Sequence, residues 1–393
     1  MRTESTATAG TLWVILAAAT LTVMAGAILG PIVPAIQSNL GVSESNAGLI
    51  ITTHGALIVL VSPLAGILID RWGPRRPLIF GLVLYGLGGG AGLFIDSFGP
   101  LLASRGVLGV GVAFVYSSIS VLIYNLYSGQ QMNRVLGLRS SANSLGAVVW
   151  PLVGGGLGTL SWQAPFGVYL IAIPLGLLAV VTVPNVAVGG DGDNAESTAL
   201  DSLWAVLRAR PALLGVYLLY FVANALLYSI VVFYPPLLST LGVESSATIS
   251  LYLAANGLAG GLSAALSDRL LARSSRHALV VVALVLWVVS LATAAVADSL
   301  LAAIPGVVGF GLGLGLVFPM AFGWIEALAP ADRQGQLSSY LASAGYTGQF
   351  LSPIIFGPVV GVFGVRGVFG VAAVVAGVGA VGLVGGLARR STG

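Results

Sequence analysis

The 393-residue chain contains no cysteine and no lysine, and only 7% of its residues carry a charge. Without cysteine, disulfides, thiolate metal sites and thiol nucleophiles are excluded. Soluble domains carry charge on roughly a quarter of their residues. At 7% charged and 57% hydrophobic, a water-soluble globular protein is excluded as well. The 16 basic residues are all Arg and form no cluster, so nothing marks a nucleic acid as a partner. HExxH, GxSxG and GxxxxGK[ST] motifs are absent, as are paired intramembrane carboxylates, which argues against a membrane enzyme and against an ATP-driven pump.

What the chain does have is apolar sequence in runs of membrane-crossing length. Bounded by charged or turn residues, these fall near 11–37, 45–69, 77–95, 100–127, 135–160 and 165–186, then near 211–239, 247–267, 277–297, 300–328, 335–361 and 366–388. A helix needs about 20 apolar residues to cross a bilayer. The expectation is therefore an all-α membrane protein with 12 transmembrane helices in two six-helix bundles. Residues 1–186 form the first, 211–393 the second, and a polar linker at 187–210 joins them. The first run is too long for a cleaved signal peptide and is expected to stay in the mature chain. The 55 glycines suit helices that approach closely in lipid.

Arginine sets the orientation. Of the 16, all but Arg105, Arg139 and Arg366 fall at the termini or in loops leading from an even-numbered segment to the next odd one. The positive-inside rule then puts both termini and the linker in the cytoplasm, with the chain in the plasma (inner) membrane. The halves also repeat at an offset of about 200 residues. Leu40-Gly41-Val42 recurs as Leu241-Gly242-Val243, Asp70-Arg71 as Asp268-Arg269, Gly109 and Gly111 as Gly309 and Gly311, and Arg134 as Arg333. Such a repeat implies alternating access to a site near the membrane midplane.

Between the second and third segments stands Gly66-Ile-Leu-Ile-Asp70-Arg71-Trp-Gly73-Pro-Arg75-Arg76. This resembles the signature loop of the major facilitator superfamily, and the resemblance extends along the chain through the segment count and the repeat. A carboxylate at the C-terminal end of a helix meets the negative end of the helix dipole and needs a partner. The resemblance implies a cytoplasmic latch in which Asp70 meets nearby arginines and the N-terminus of the eleventh helix. A purely topogenic Arg cluster accounts for Arg75 and Arg76 but not for Gly66, Asp70 and Gly73.

The fourth segment carries Arg105, Gly109 and Gly111 in the spacing RxxxGxG, similar to the superfamily motif whose arginine is associated with proton transfer. An Arg inside a span stays protonated and demands a counter-ion or a polar cavity, unless it is a structural Arg reaching the outer interface. In the fifth segment Gly137, Gly146, Trp150, Pro151, Gly154 and Gly155 resemble the Gx8Gx3GPx2GG element of proton-coupled exporters, with Trp150 in a glycine position. The resemblance implies a secondary active transporter, not an enzyme. It would be driven by the proton gradient with no cofactor and no metal, and would act as a monomer, with a small-molecule substrate, protons and membrane lipid as partners.

It further implies that segments 1, 4, 7 and 10 line a substrate cavity, flanked by 2, 5, 8 and 11, while 3, 6, 9 and 12 face lipid. Polar stripes agree with the first two sets. Tyr116 and Ser120 lie on the fourth segment, Arg139 and Asn143 on the fifth, Tyr220, Asn224 and Tyr228 on the seventh, and Tyr346 and Gln349 on the eleventh. For proton coupling the candidates are Arg105, His54, whose type titrates near neutral pH, and Glu326, the sole carboxylate within a cavity-lining segment. His54 also reads as a neutral interhelical hydrogen bonder, and Glu326 as a side chain reaching toward Arg333. With no acidic residue deep in the first or fourth segment, the expected cargo is a neutral or anionic amphipathic compound. The alternative is a proton-coupled uptake symporter for a small organic anion.

Overall fold

The computed structural model describes residues 9–186, 208–330 and 333–391, and all regular secondary structure among them is helical. Helix α1 (Ala9–Leu40) is interrupted by a 3-10 turn at Gly30–Ile32, where Pro31 and Pro34 withhold backbone N–H groups. Helix α2 (Glu44–Trp72) starts at a Ser43 cap that accepts from the Asn46 N–H. Then come α3 (Arg75–Gly90), α4 (Phe98–Leu126), α5 (Gly129–Gly158) and α6 (Ala164–Thr182), which opens as a 3-10 turn. After the midpoint follow α7 (Ala212–Thr240), α8 (Ser246–Leu271), α9 (Arg276–Val296), α10 (Leu300–Leu328) and α11 (Gln334–Ser391).

Ten of these segments are long and apolar enough to cross a membrane, where 12 were expected. Two physical causes separate the numbers. Helix α5 is 30 residues long, but Arg134, Arg139 and the amides and hydroxyls around them make it too polar to count. The expected break between segments 11 and 12 contains no polar loop. Instead α11 is two helices meeting at Gly364, where φ is +69° and a single residue redirects the chain.

The chain forms two compact units. The first holds α1 to α6 together with Val243–Ala254, so the opening turns of α8 belong with it; the second holds α7, the remainder of α8, and α9 to α11. The linker residues 187–207, like Arg2, lie outside the described residues. Within each unit, glycine lets helix backbones touch. In the first, a Cβ on Gly111 of α4 would lie 2.5 Å from the Tyr85 nitrogen of α3. In the second, a Cβ on Gly315 of α10 would lie 2.1 Å from the Gly260 carbonyl oxygen of α8. This is the contact that lipid-embedded helices make in place of large apolar interfaces.

Candidate functional site

Arg105 on α4 is fully buried, and a buried guanidinium must find acceptors. Its Nε donates to the Ile50 carbonyl of α2 at 3.1 Å, and its Nη2 to the Ala25 carbonyl of α1 at 2.7 Å and to the Tyr169 hydroxyl of α6 at 2.9 Å. Tyr169 donates onward to the Ala25 carbonyl at 3.0 Å, and its ring centroid lies 4.7 Å from the guanidinium carbon. Tyr85 of α3 completes the layer, donating to the Leu21 carbonyl of α1 and lying beside the Tyr169 ring. Helix carbonyls, not a carboxylate, offset this charge. Nη1 alone is buried with no partner.

The Arg105 donors turn to α1, α2 and α6, where the acceptors are, and this corrects one expectation. Helices α3 and α6, expected to face lipid, turn Tyr85 and Tyr169 inward to hold it. No periodicity in either segment signals those two tyrosines. The glycines of the same motif have a steric role. A Cβ on Gly109 would lie 2.8 Å from the His54 carbonyl oxygen, so the motif brings α4 against α2 as well as α3. His54 itself is buried, and its Nδ1–H donates to the Ile51 carbonyl at 2.7 Å. Glu326 does not lie deep in a span. It is exposed two residues before the end of α10, and its backbone carbonyl accepts from Gln334 Nε2 at 3.0 Å.

In the loop after α2, Gly73 has φ +74°, and a Cβ there would meet the Val186 carbonyl oxygen at 2.7 Å. Arg75 donates to the Val180 carbonyl of α6. Asp70, Arg71 and Arg76 are exposed, the space beside Gly66 is open, and among the described residues no ion pair holds Asp70. On α5, a Cβ on Gly154 would fall 1.8 Å from the Ile28 carbonyl oxygen of α1, and one on Gly155 2.5 Å from the Ser246 carbonyl oxygen. Ser246 Oγ donates to the Gly155 carbonyl at 2.8 Å. Trp150, in its glycine position, donates from Nε1 to the Thr20 carbonyl of α1 at 2.9 Å. Its ring lies against Gly146, where a Cβ would come within 3.2 Å. Pro151 is buried in the same stretch, whereas nothing lies within 4 Å of a Cβ on Gly137.

Within each unit, polar side chains of two neighbouring helices meet. In the first unit Arg139 Nη1 donates to Ser120 Oγ at 3.1 Å, and its guanidinium carbon lies 5.1 Å from the Tyr116 ring centroid. One turn further along α5, the Asn143 Oδ1 is buried without a partner. In the second unit Asn224 Nδ2 donates to the Tyr220 carbonyl at 2.8 Å, and its Oδ1 accepts from Gln349 Nε2 at 3.1 Å. The Tyr220 ring packs on Phe318 with centroids 5.0 Å apart. Tyr228 is buried and Tyr346 half-buried. Among the described residues no group of three His, Asp or Glu is placed to hold a metal ion.

An all-helical membrane protein built on a two-unit repeat, with polar side chains set along apolar helices, has the construction of a multi-span transporter. The family model of the Major Facilitator Superfamily matches residues 15–353 and again 245–392, and the chain belongs to that superfamily. Over 168 residues it is 30% identical to the multidrug efflux protein YfmO of Bacillus subtilis (strain 168), in an alignment covering 43% of this chain and 42% of that protein. The chain thus spans about two fifths of that relative's length. The quinolone resistance protein NorA of Staphylococcus aureus (strain MRSA252) is 24% identical over 345 residues, covering 84% of this chain and 85% of NorA. Among solved structures, the nucleoside transporter NupG superposes with a TM-score of 0.77 at 15% identity, covering 95% of this chain and 98% of that one. That likeness is one of fold.

Proposed function

We propose that this chain is a proton-coupled exporter of a small neutral or anionic amphipathic compound, working as a monomer by alternating access. The observation that carries the reading is the glycine-proline stretch of α5. There the residues that resemble the exporter element are used for backbone contact, with a Cβ on Gly154 only 1.8 Å from the Ile28 carbonyl oxygen. The relatives named for multidrug efflux and quinolone resistance support the same direction. In this reading α5 is a span in spite of its polarity and α11 is two spans divided at Gly364, which makes 12, with both termini and the 187–210 linker in the cytoplasm and residues 1–186 and 211–393 as the two halves. Asp70 forms its latch only in the state closed to the cytoplasm. Arg105 never gives up its proton, so the coupling proton rides on His54 or Glu326, and Arg105 sets the field at His54. The substrate path takes Tyr116, Ser120, Arg139 and Asn143 from one half and Tyr220, Asn224, Tyr228, Tyr346 and Gln349 from the other.

The test uses inside-out vesicles with an acid interior and a pH-sensitive dye. Adding a monoanionic quinolone should discharge part of the gradient in vesicles holding this chain and not in vesicles lacking it. No discharge, together with gradient-driven accumulation of the labelled anion by intact cells, would replace export with uptake symport.

A further inference from the structure

Two arginines lie within the spans of the first unit, and they differ in what they have left to offer. Arg105 is fully buried and bonded to two carbonyls and a tyrosine hydroxyl. Arg139 is half-buried. A single hydrogen bond, from Nη1 to Ser120 Oγ, occupies its guanidinium, while the Tyr116 ring lies beside its carbon at 5.1 Å. Its Nε and Nη2 have no acceptor among the described residues. It stands 10 residues into α5 and four residues beyond the start of the apolar run near 135, about 6 Å at 1.5 Å per residue, toward the cytoplasmic end of the span. A charge held there against the helices needs a counter-charge or water. Neither α4 nor α5 contains an Asp or Glu, and the acidic residues of the other first-unit helices, Glu44 and Asp70, stand at helix ends. Among the described residues of the first unit, no carboxylate pairs with Arg139.

We infer that Arg139 is the residue that selects the substrate's charge, so that the cargo class is the organic anion carrying a carboxylate on an apolar body. The guanidinium presents a planar fork matched to two carboxylate oxygens. Tyr116 and Ser120 hold that fork in one orientation, so less freedom is lost when the anion docks. One turn along the same face, the Asn143 Oδ1 is buried with no partner among the described residues, which offers an acceptor to an N–H or O–H group next to the carboxylate. Beyond it stands the Trp150 ring, held by its bond to the Thr20 carbonyl, as an apolar surface for the body of the molecule. The stripe thus runs from a cation through an amide to an aromatic face. This inference rests on the transporter reading of the polar stripe and narrows its substrate from neutral or anionic to anionic.

The experiment compares a matched pair of probes, 1-naphthaleneacetate and the neutral 1-naphthaleneacetamide, binding to purified full-length protein in phosphatidylcholine nanodiscs with no gradient. The parent should bind the acetate roughly tenfold tighter than the amide, tenfold being about 1.4 kcal/mol. Arg139→Gln should erase the preference, with acetate affinity falling roughly tenfold toward that of the amide. Arg139→Lys, which keeps the charge but loses the fork, should retain part of it and guards against a folding defect in the Gln variant. A preference that survives in Arg139→Gln overturns the inference, as does failure of either probe to bind. Loss of the parent's preference when phosphatidylglycerol replaces part of the lipid also overturns it, since a lipid headgroup would then be the anion. The export reading fails separately: anion selection through Arg139 without gradient discharge in vesicles sinks export alone, while discharge by the acetate and the amide alike sinks the anion selector alone.

Discussion

The two units tie their helices together with opposite chemistry near corresponding positions of the sequence repeat. In the first, one charged side chain on α4, Arg105, reaches out to carbonyls of α1 and α2 and to Tyr169. In the second, the repeat partner of Arg105 is Pro305, which has no side-chain donor, and the bonds run the other way. Tyr234 of α7 donates to the Ala303 carbonyl of α10, and Asn256 of α8 donates to the Val307 carbonyl of α10 at 3.0 Å. Neutral donors leave no unmet charge if one bond is lost. A buried guanidinium does, and its cost rises steeply when any acceptor is removed. Buried charge is therefore concentrated in the first unit, with His54 buried beside the same layer, while the buried ties of the second unit named here are neutral and its charged tie, from Arg210 to the Leu328 carbonyl, is exposed.

The largest contrast should come from deleting the charged tie and a neutral one. Arg105→Ala should lower stability by about 3–5 kcal/mol, because several buried groups lose their common partner. Asn256→Ala should cost about 1 kcal/mol. Arg105→Lys should recover little, since a compact ammonium does not reproduce the fork that spans three acceptors. Melting temperatures of the purified variants, with transport measured alongside, check all three. A Lys variant that melts with the parent would show that the charged layer holds no more than the neutral one.

A smaller effect separates close backbone contact from mere helix content along α5. Gly154→Ala forces a methyl into the Ile28 carbonyl and should cost about 1–3 kcal/mol of stability. Gly137→Ala, with open space beside it, should lose nothing and gain up to about 1 kcal/mol from helix propensity. Equal melting temperatures for the two would dissolve the distinction. The smallest effect concerns the tyrosines. Tyr234→Phe removes one donor and should cost about 1 kcal/mol, and Tyr169→Phe somewhat more, because its hydroxyl also accepts from Arg105. A double-mutant cycle of Tyr169→Phe with Arg105→Lys should show coupling; additivity would separate the tyrosine from the charge.

Several of these features are legible in one dimension. The stripe at 139, 143, 146 and 150 follows from helical spacing, and Gly109 and Gly111 mark a close approach because nothing else fits between two backbones in lipid. Other features are not. Trp150 in a glycine position reads as a disruption of a smooth surface, yet it sits over Gly146 and bonds the Thr20 carbonyl, a fit that needs α1 in place beside α5. The break between 361 and 366 is legible, but its form is not: a φ of +69° at Gly364 requires only a glycine, and this chain has 55 of them.

Composition, apolar period and the placement of arginine determined that this is a helical membrane protein with a repeated half, because burial in lipid leaves a chain few choices about where charge stands. Only the tertiary structure decided which arginine is tied and which has donors to offer. The acceptors that silence Arg105 are backbone carbonyls, which every residue carries alike. No local pattern can mark Ala25 and Ile50 as the ones that receive it, and only the crossing of α1, α2, α4 and α6 brings those oxygens to one point.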